Sequence, residues 1–136
     1  MVVPVRRLLL ICLSTLLLAP SASRAADGNA GTYAGDYTNK AGKSGRYQVT
    51  LTPGHDGHWT GEVLAVLDGR ETRSPMTSLK VQGDTIEAAY DFEVKGHKAS
   101  SRITGRRVGD ALSGTFDTLY KGKVVDTGTW KTSRKK

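Results

Sequence analysis

Cysteine is almost absent from this chain of 136 residues, which contains only Cys12. Cys12 lies in an apolar run from Leu8 to Ala19, which follows two arginines and precedes a stretch of small residues. This order is typical of a secretory signal peptide, with Ser23 and Ala25 suited to the −3 and −1 positions of the cleavage site. Cleavage after Ala25 leaves no cysteine, which excludes a disulfide scaffold, a thiol nucleophile and a cysteine-bound metal in the mature chain.

Long hydrophobic runs are also missing. The apolar run has about a dozen residues, whereas a membrane-spanning helix needs about twenty. Ile11 is bulky where lipid-attachment signals have a small residue, so lipidation at Cys12 is not expected. The sequence therefore predicts a signal peptide at residues 1–25 and a secreted or periplasmic protein.

Excess charge is modest in the mature chain. Residues 1–25 contain three arginines and no acidic residue, so their removal lowers the count of Lys and Arg from 20 to 17 against 13 acidic residues, and the net charge from +7 to +4. The remaining 111 residues are enough for one domain with a hydrophobic core. We place that domain at residues 26–130.

The chain ends in KTSRKK, residues 131–136, where apolar side chains are absent and four of six residues are basic. Such a run predicts a disordered tail that either only aids solubility or adheres to an anionic envelope surface, lipid or polysaccharide. Aromatic residues are not interleaved with its charges, so nucleic acid is not an expected partner.

Helical spacing of apolar residues is absent from the mature chain, and glycine is abundant. Six glycines recur at intervals of 12 to 14 residues, at positions 57, 69, 83, 96, 109 and 122. Glycine readily adopts the positive φ of tight hairpin turns, and several of these glycines have a neighbouring aspartate. The glycines therefore mark hairpins.

Between these glycines, apolar and polar residues alternate with the period of a strand that has one buried face. The pattern predicts eight strands, near 31–38, 45–52, 58–66, 71–81, 84–94, 98–107, 111–120 and 124–131. The predicted fold is all-β, a single antiparallel up-and-down meander that closes into a small barrel; a flattened two-sheet sandwich is the alternative. Pro75 predicts a bend, bulge or edge in the fourth strand.

A second set of glycines lies inside the predicted strands, at positions 35, 61, 105, 114 and 128. Glycine weakens a strand unless a bend or a close approach requires it. These positions favour closure of the sheet.

The stretch PGHDGHW, residues 53–59, concentrates two of the three histidines of the chain beside an aspartate. His55, Asp56 and His58 make an incomplete zinc ligand set, and His97 falls in a turn expected at the opposite end of the barrel. Proline, aspartate and glycine are residues that a turn requires for its own backbone. We therefore interpret the stretch as a turn and predict no metal site.

Motifs of known enzyme classes are missing, including the nucleophile elbow, the phosphate-binding glycine loop and paired metal-binding histidines. The carboxylates of Glu62, Glu87, Asp91 and Glu93 fall in the outward phase of their strands, as a solvated face requires. We predict a noncatalytic protein without a cofactor.

Every second residue of a strand points into the barrel, and these inward residues identify the candidate ligand-binding side chains. If both tryptophans point inward, the interior is apolar and aromatic, with a few polar groups that orient a small molecule; the alternative is a fully packed core. The candidates, which include two from the resemblance described next, are Asn39, Ser44, Trp59, Tyr90, Phe92, Ser101, Phe116, Thr118, Asp126 and Trp130.

The segments GDYTNKAGKS, QVTLTP and DGHWTGEV resemble the first strands of the avidin family, and ITGRRVGDALSG resembles its later meander. The resemblance implies that Asn39 and Ser44 correspond to the biotin-binding first loop and that Ser101 lies near a family threonine. Leu119 stands where a family tryptophan is expected. The chain also resembles small secreted bacterial barrels with repeated Thr-Gly strand motifs, and lipocalins in architecture alone.

We expect a secreted β-barrel that binds a small apolar or amphipathic ligand in its interior. The alternative is an envelope-associated module, or an inhibitor of a secreted enzyme, that acts through its surface loops around a filled barrel.

Overall fold

The computed structural model describes residues 28–136, so the predicted signal peptide lies outside the described residues. The described chain forms eight strands: β1 (Gly31–Asn39), β2 (Ser44–Pro53), β3 (Trp59–Leu67), β4 (Arg70–Gln82), β5 (Thr85–Val94), β6 (His97–Val108), β7 (Ala111–Tyr120) and β8 (Lys123–Arg134). Consecutive strands pair antiparallel, and β8 returns to pair with β1. The predicted all-β meander and its closure into a barrel are confirmed. Residues 28–136 include no helix that is long and apolar enough to span a membrane.

The hairpins lie where the glycine spacing predicts them. At three turns both central residues have positive φ, as in Asp68–Gly69 with 51° and 76°. Lys95–Gly96 and Lys121–Gly122 have the same conformation. This pair of angles is that of a type I′ turn, whose twist matches that of the flanking strands.

The turns divide the barrel into two ends. We call the upper end the one that carries the β1–β2, β3–β4, β5–β6 and β7–β8 turns, and the lower end the one that carries the other three. The lower end is closed by Asn29, whose Nδ2 donates a hydrogen bond of 2.6 Å to the Gly83 carbonyl. Arg107 Nε donates to Asn29 Oδ1 at 2.6 Å, and the Tyr33 hydroxyl donates to the Asn29 carbonyl at 2.8 Å.

The core fills the middle and lower parts of the barrel. Its largest fully buried side chains are Trp130, Tyr33, Leu51, Ile86, Ile103, Leu112, Val49 and Val63. These residues belong to the inward phase of seven strands, and β4 adds Met76, Leu79 and Val81 as half-buried neighbours. The alternation read from the sequence therefore assigned the faces of the sheet correctly.

The fourth strand is irregular where proline predicts it. The pairing of β3 with β4 ends at Glu62↔Pro75, and the register between β4 and β5 shifts between Met76 and Ser78. Thr77 is the extra residue of this bulge. Because proline has no N–H to donate, the chain changes partner strand beside it.

The glycines inside strands sit where a neighbouring strand leaves no space for a Cβ. The nearest atoms are backbone carbonyls at Gly35, Gly114 and Gly128 and the side chains of Met76 and Trp130 at Gly61 and Gly105. A Cβ at Gly114 would overlap the Thr104 carbonyl, and one at Gly35 would overlap the Lys131 carbonyl. The close packing expected at these positions is confirmed.

The prediction of a disordered tail from residue 131 is wrong for residues 131–134. β8 continues to Arg134, which pairs with Tyr33 of β1, while Ser133 pairs with Ala111 of β7. Thr132 is buried and donates a hydrogen bond of 2.6 Å to the Leu112 carbonyl. The reason is that β1 and β7 both extend to the lower end and require a partner of matching length.

Arg134 is held by the lower end of the barrel. Its Nη1 and Nη2 donate hydrogen bonds of 2.6 Å to the carbonyls of Ala30 and Gly28, and its guanidinium lies 5.1 Å from the centroid of the Tyr33 ring. Attraction to anionic surfaces stays a prediction, now for exposed lysines such as Lys135 and Lys136 rather than for a detached tail.

Candidate functional site

The upper end of the barrel contains a cavity of about 230 Å³ that opens to solvent between the turns. Its floor and walls are inward side chains of all eight strands, because the core residues below stop short of the upper rim. The lower end is closed, so the upper end is the route of entry along the barrel axis. We call this space the upper cavity.

Hydroxyl groups cluster deep in the upper cavity. The oxygens of the Tyr47 and Tyr90 hydroxyls are 3.0 Å apart and form a buried hydrogen bond. Ser101, which pairs with Tyr90 across β5 and β6, is 1% exposed, and its Oγ has no well-formed hydrogen bond to the part of the chain that the structure describes. Tyr90 is close enough to interact with this hydroxyl, but the contact falls short of a well-formed hydrogen bond. A buried hydroxyl whose hydrogen bonding is incomplete is costly, and a ligand or water in the cavity can complete it.

Burial sets the ionisation of this cluster. Burial raises the pKa of Tyr47 well above its usual 10.0, and the nearby Tyr90 reinforces the shift. Burial also raises the pKa of Tyr90, an effect that the hydroxyls of Tyr47 and Ser101 partly offset. Both tyrosines are therefore neutral at physiological pH and act as hydrogen-bond donors or acceptors.

Aromatic rings form the walls of the upper cavity. Tyr37 lies edge-on to Phe116 and to Tyr47, with ring centroids 6.0 and 5.9 Å apart, and Phe92 packs beside Tyr90 at 5.9 Å. The Tyr37 hydroxyl donates a hydrogen bond of 3.0 Å to the Val66 carbonyl, which fixes the ring. These walls give the cavity apolar faces around its polar floor.

Asn39 ties the rim of the cavity together. Its Nδ2 donates to Asp126 Oδ2 at 3.1 Å, and its Oδ1 accepts hydrogen bonds from the backbone N–H groups of Ala41 and Lys43. Lys43 Nζ lies 3.9 Å from Asp68 Oδ1 across the mouth. Asn39 therefore holds the β1–β2 turn against β8, and the rim carries charges of both signs.

Most of the candidate residues predicted from the sequence do meet in the upper cavity: Asn39, Tyr90, Phe92, Ser101, Phe116, Thr118 and Asp126. The other three do not line it. Ser44 is exposed at the start of β2, and Trp59 is half-buried at the lower end, where β3 begins. Trp130 is buried in the core, where its ring packs against the lining residue Tyr47 at a centroid distance of 5.6 Å.

Several lining residues were not among the candidates: Tyr37, Lys43, Tyr47, Ala65, Leu67, Asp68, Thr72 and Val94. Tyr37 shares the inward phase of Tyr33, and Tyr47 that of Val49, so extending the phase of β1 and β2 upward would have identified both. Lys43 and Asp68 belong to turns, whose side-chain directions do not follow from strand periodicity.

The histidine-containing stretch forms the turn between β2 and β3, as predicted. His55 and His58 are exposed, and Asp56 Oδ1 accepts a hydrogen bond of 3.1 Å from the backbone N–H of His58. The carboxylate thus supports the turn itself. His97 lies at the upper end, where its ring packs edge-on to Tyr120.

The described carboxylates also follow the predicted phase. Glu87, Asp91 and Glu93 are exposed on the outer face, and the half-buried Glu62 accepts a hydrogen bond of 2.6 Å from Arg73 Nη1. Across residues 28–136 no group of three or more His, Cys, Asp or Glu side chains is placed to hold a metal ion.

The small eight-stranded antiparallel barrel is thus established, with its upper cavity and closed lower end. Comparison of the chain with protein-family models, with curated proteins and with solved structures finds no match.

Proposed function

We propose that this protein is a noncatalytic, secreted or periplasmic barrel that binds a small amphipathic molecule in its upper cavity. The observation that carries the proposal is the buried Ser101 hydroxyl at the floor of an open, aromatic-walled cavity. A barrel that served only as a scaffold would be more stable with an apolar side chain in place of this hydroxyl.

The size of the cavity limits the ligand. Its volume of about 230 Å³ exceeds the roughly 150 Å³ of an engineered protein cavity that binds benzene. It is smaller than the pockets of about 300 to 1,000 Å³ that enclose drug-sized ligands. A compact molecule with one or two rings fits this volume better than a long acyl or isoprenoid chain.

The lining predicts the chemistry of the ligand. Phe92 and Phe116 offer apolar faces, and the hydroxyls of Tyr47, Tyr90 and Ser101 offer neutral hydrogen-bonding groups at depth. We therefore expect an apolar body whose polar group points to the floor. The polar rim at Asn39 and Asp126 is suited to a second polar group at the mouth.

A direct test is native mass spectrometry of protein purified from its own host, followed by titration of the mature chain with indole, phenol and biotin. Tyr47 contacts both the cavity and Trp130, so a ligand should change the emission of Trp130 at saturable stoichiometry. A Trp59→Phe variant leaves Trp130 as the single source of the signal.

A matched pair of variants on β3 locates the binding site. Ala65 lines the cavity, so Ala65→Phe should fill it and abolish the saturable response. Leu64 is on the outer face of the same strand, so Leu64→Phe should leave binding unchanged. No retained ligand and no saturable response to any of the three compounds would overturn the proposal.

The resemblance to the avidin family is a hypothesis about the ligand within this proposal. Asn39 lines the cavity, as the resemblance implies, whereas Ser44 does not. The inclusion of biotin in the titration tests the hypothesis directly.

A further inference from the structure

The wall of the barrel has a gap between β4 and β5. β4 pairs with β3 over Arg70–Pro75 and with β5 only from Met76 onward. In β5, Asp91–Val94 pair with β6 but with no residue of β4 within the described chain. Above the bulge, one edge of each strand therefore has backbone N–H and C=O groups without a strand partner.

These two edges border an open groove on the side of the barrel, which we call the side slot. It has a volume of about 770 Å³ and is lined by both edges and by the start of β6. Thr72 and Phe92 line both the side slot and the upper cavity, so the two spaces are neighbours through the wall. Free strand edges of this kind are templates for pairing with another chain.

The dimensions of the slot match a short extended segment. The unpaired edge of β4, Arg70–Pro75, has six residues, and that of β5, Asp91–Val94, has four. An extended segment of about four to six residues, which rises by about 3.3 Å per residue, would span them.

The charges around the slot favour an acidic occupant. Four of its lining residues are basic, Arg70, Arg73, Lys95 and Lys98, against the two acidic residues Asp91 and Glu93. Arg73 is already paired with Glu62 at 2.6 Å, so Arg70, Lys95 and Lys98 are the basic groups that an occupant would meet. The outward side chains of an inserted strand would lie among these charges. Its inward side chains would face Thr72 and Phe92, where small apolar groups fit.

We propose that the side slot binds an extended acidic peptide segment of another protein, which pairs as an additional strand between β4 and β5. Main-chain hydrogen bonds to both edges hold the segment, and alternation of acidic and apolar side chains gives specificity. The proposal is independent of the ligand in the upper cavity, because it rests on backbone edges and outer charges.

Hydrogen exchange of the free protein is the first test. Those amides of residues 71–74 and 91–94 that point away from β3 and β6 should exchange quickly, whereas amides of the fully paired β6 and β7 should be protected. Protection of the slot amides in the free monomer would show that the wall is already closed and would overturn the proposal.

The second test uses a capped six-residue peptide of alternating glutamate and valine, titrated into the protein and followed by backbone amide resonances. We expect saturable shifts at the slot edges and at least tenfold slower exchange there. The control peptide has the same side chains but three alternate amides N-methylated, and it should not bind. Equal binding of the control, or shifts confined to another face, would exclude strand addition at this site.

A matched pair of double variants separates the effect of charge at the slot from the effect of the net charge of the protein. Arg70→Glu with Lys98→Glu should weaken peptide binding about tenfold, since reversal replaces attraction by repulsion at the slot. Arg46→Glu with Lys131→Glu makes the same change in net charge on the outer faces of β2 and β8 and should change affinity less than about twofold. Equal losses in both pairs would overturn the proposal.

The protein alone, studied over a range of concentrations, provides the remaining control. In the absence of peptide, the protection of the slot amides should not depend on protein concentration. Protection that grows with concentration would assign the slot to a second copy of the chain and contradict a peptide partner.

Discussion

The indole of Trp130 lies directly against the backbone of Gly105, where a Cβ would be 2.7 Å from its Cζ2 atom and 2.8 Å from its Cη2 atom. Gly105 pairs with Gly114, and Gly114 pairs with Trp130. Gly105 makes room for the indole, and Gly114 lets the β6 backbone lie close to β7, since a Cβ at Gly114 would overlap the Thr104 carbonyl. The indole Nε1 donates a hydrogen bond of 3.1 Å to the Thr115 carbonyl. The strand glycines and the tryptophan therefore form one packing unit.

Gly105→Ala should destabilise the barrel by about 1 to 3 kcal/mol, because the added methyl group overpacks the Trp130 site. Urea unfolding measures the loss. The double variant Gly105→Ala with Trp130→Phe should be less destabilised than the sum of the single changes, since the smaller ring frees the space. Additive losses would contradict a direct steric coupling.

Trp130→Ala should cost about 3 to 5 kcal/mol through lost apolar burial and the cavity that remains. This is a large part of a typical total stability of about 5 to 15 kcal/mol. Trp59→Ala serves as the comparison and should cost less, because Trp59 is only half-buried. Chemical denaturation of both variants checks the order, and a larger loss at Trp59 would contradict it.

Ser101→Ala should stabilise the ligand-free protein by about 1 kcal/mol, because it removes a buried hydroxyl without a well-formed hydrogen bond. Thr132→Val is the matched control, since its hydroxyl donates to the Leu112 carbonyl and its loss should cost about 1 to 3 kcal/mol. Thermal melts of both variants measure the contrast. Destabilisation by Ser101→Ala would show that this hydroxyl is satisfied in the free protein.

Stability should fall at alkaline pH through the buried tyrosine pair. Burial raises the pKa of Tyr47 and Tyr90 above 10.0, so the folded state keeps protons that the unfolded chain releases. The free energy of unfolding should be unaffected below the unfolded pKa and should decrease as pH rises toward the folded pKa values. The decrease is up to about 1.4 kcal/mol per pH unit for each tyrosine.

Urea unfolding between about pH 9 and pH 11 tests this dependence, a range that brackets the ordinary tyrosine pKa. The double variant Tyr47→Phe with Tyr90→Phe should lose less stability over the same range, because it lacks the buried hydroxyls that ionise. Parallel curves for the two proteins would show that the pair does not control the alkaline limit.

Arg134→Ala should destabilise the barrel by about 2 to 4 kcal/mol, because it removes two charge-assisted hydrogen bonds and the contact with the Tyr33 ring. Lys136→Ala, at the exposed end of the chain, should change the stability by less than about 0.5 kcal/mol. Equal stability of the two variants, measured by denaturation, would support a detached tail after all.

The strands, their order as a meander and their turns could be predicted from local sequence patterns, which left a two-sheet sandwich as the alternative to a closed barrel. Turn positions depend on local chemistry. At Asp68–Gly69, for example, both residues of the turn have a positive φ, which this pair of residue types accepts. The face of each strand follows from its period of two, so Val63, Ile103 and Trp130 could be assigned to the interior from the pattern alone.

What the interior contains at each level depends on how the eight strands pack together. Tyr90 and Trp130 share the inward phase, yet one lines the upper cavity and the other fills the core. That difference depends on the stagger of eight strands and on glycines such as Gly105, which set how deeply each side chain reaches. Alternation specifies a face but not a height along the barrel.

The end of β8 and the side slot likewise depend on contacts between strands that are distant in sequence. Lys131–Arg134 is polar enough to predict disorder, but β1 and β7 supply pairing partners on both sides, and the lower end binds Arg134. Conversely, Asp91–Val94 has the sequence pattern of a regular strand, yet within residues 28–136 it has no strand partner on its β4 side, because β4 changes register beside Pro75. Pairing joins residues far apart in sequence, so local patterns could not determine which edges close.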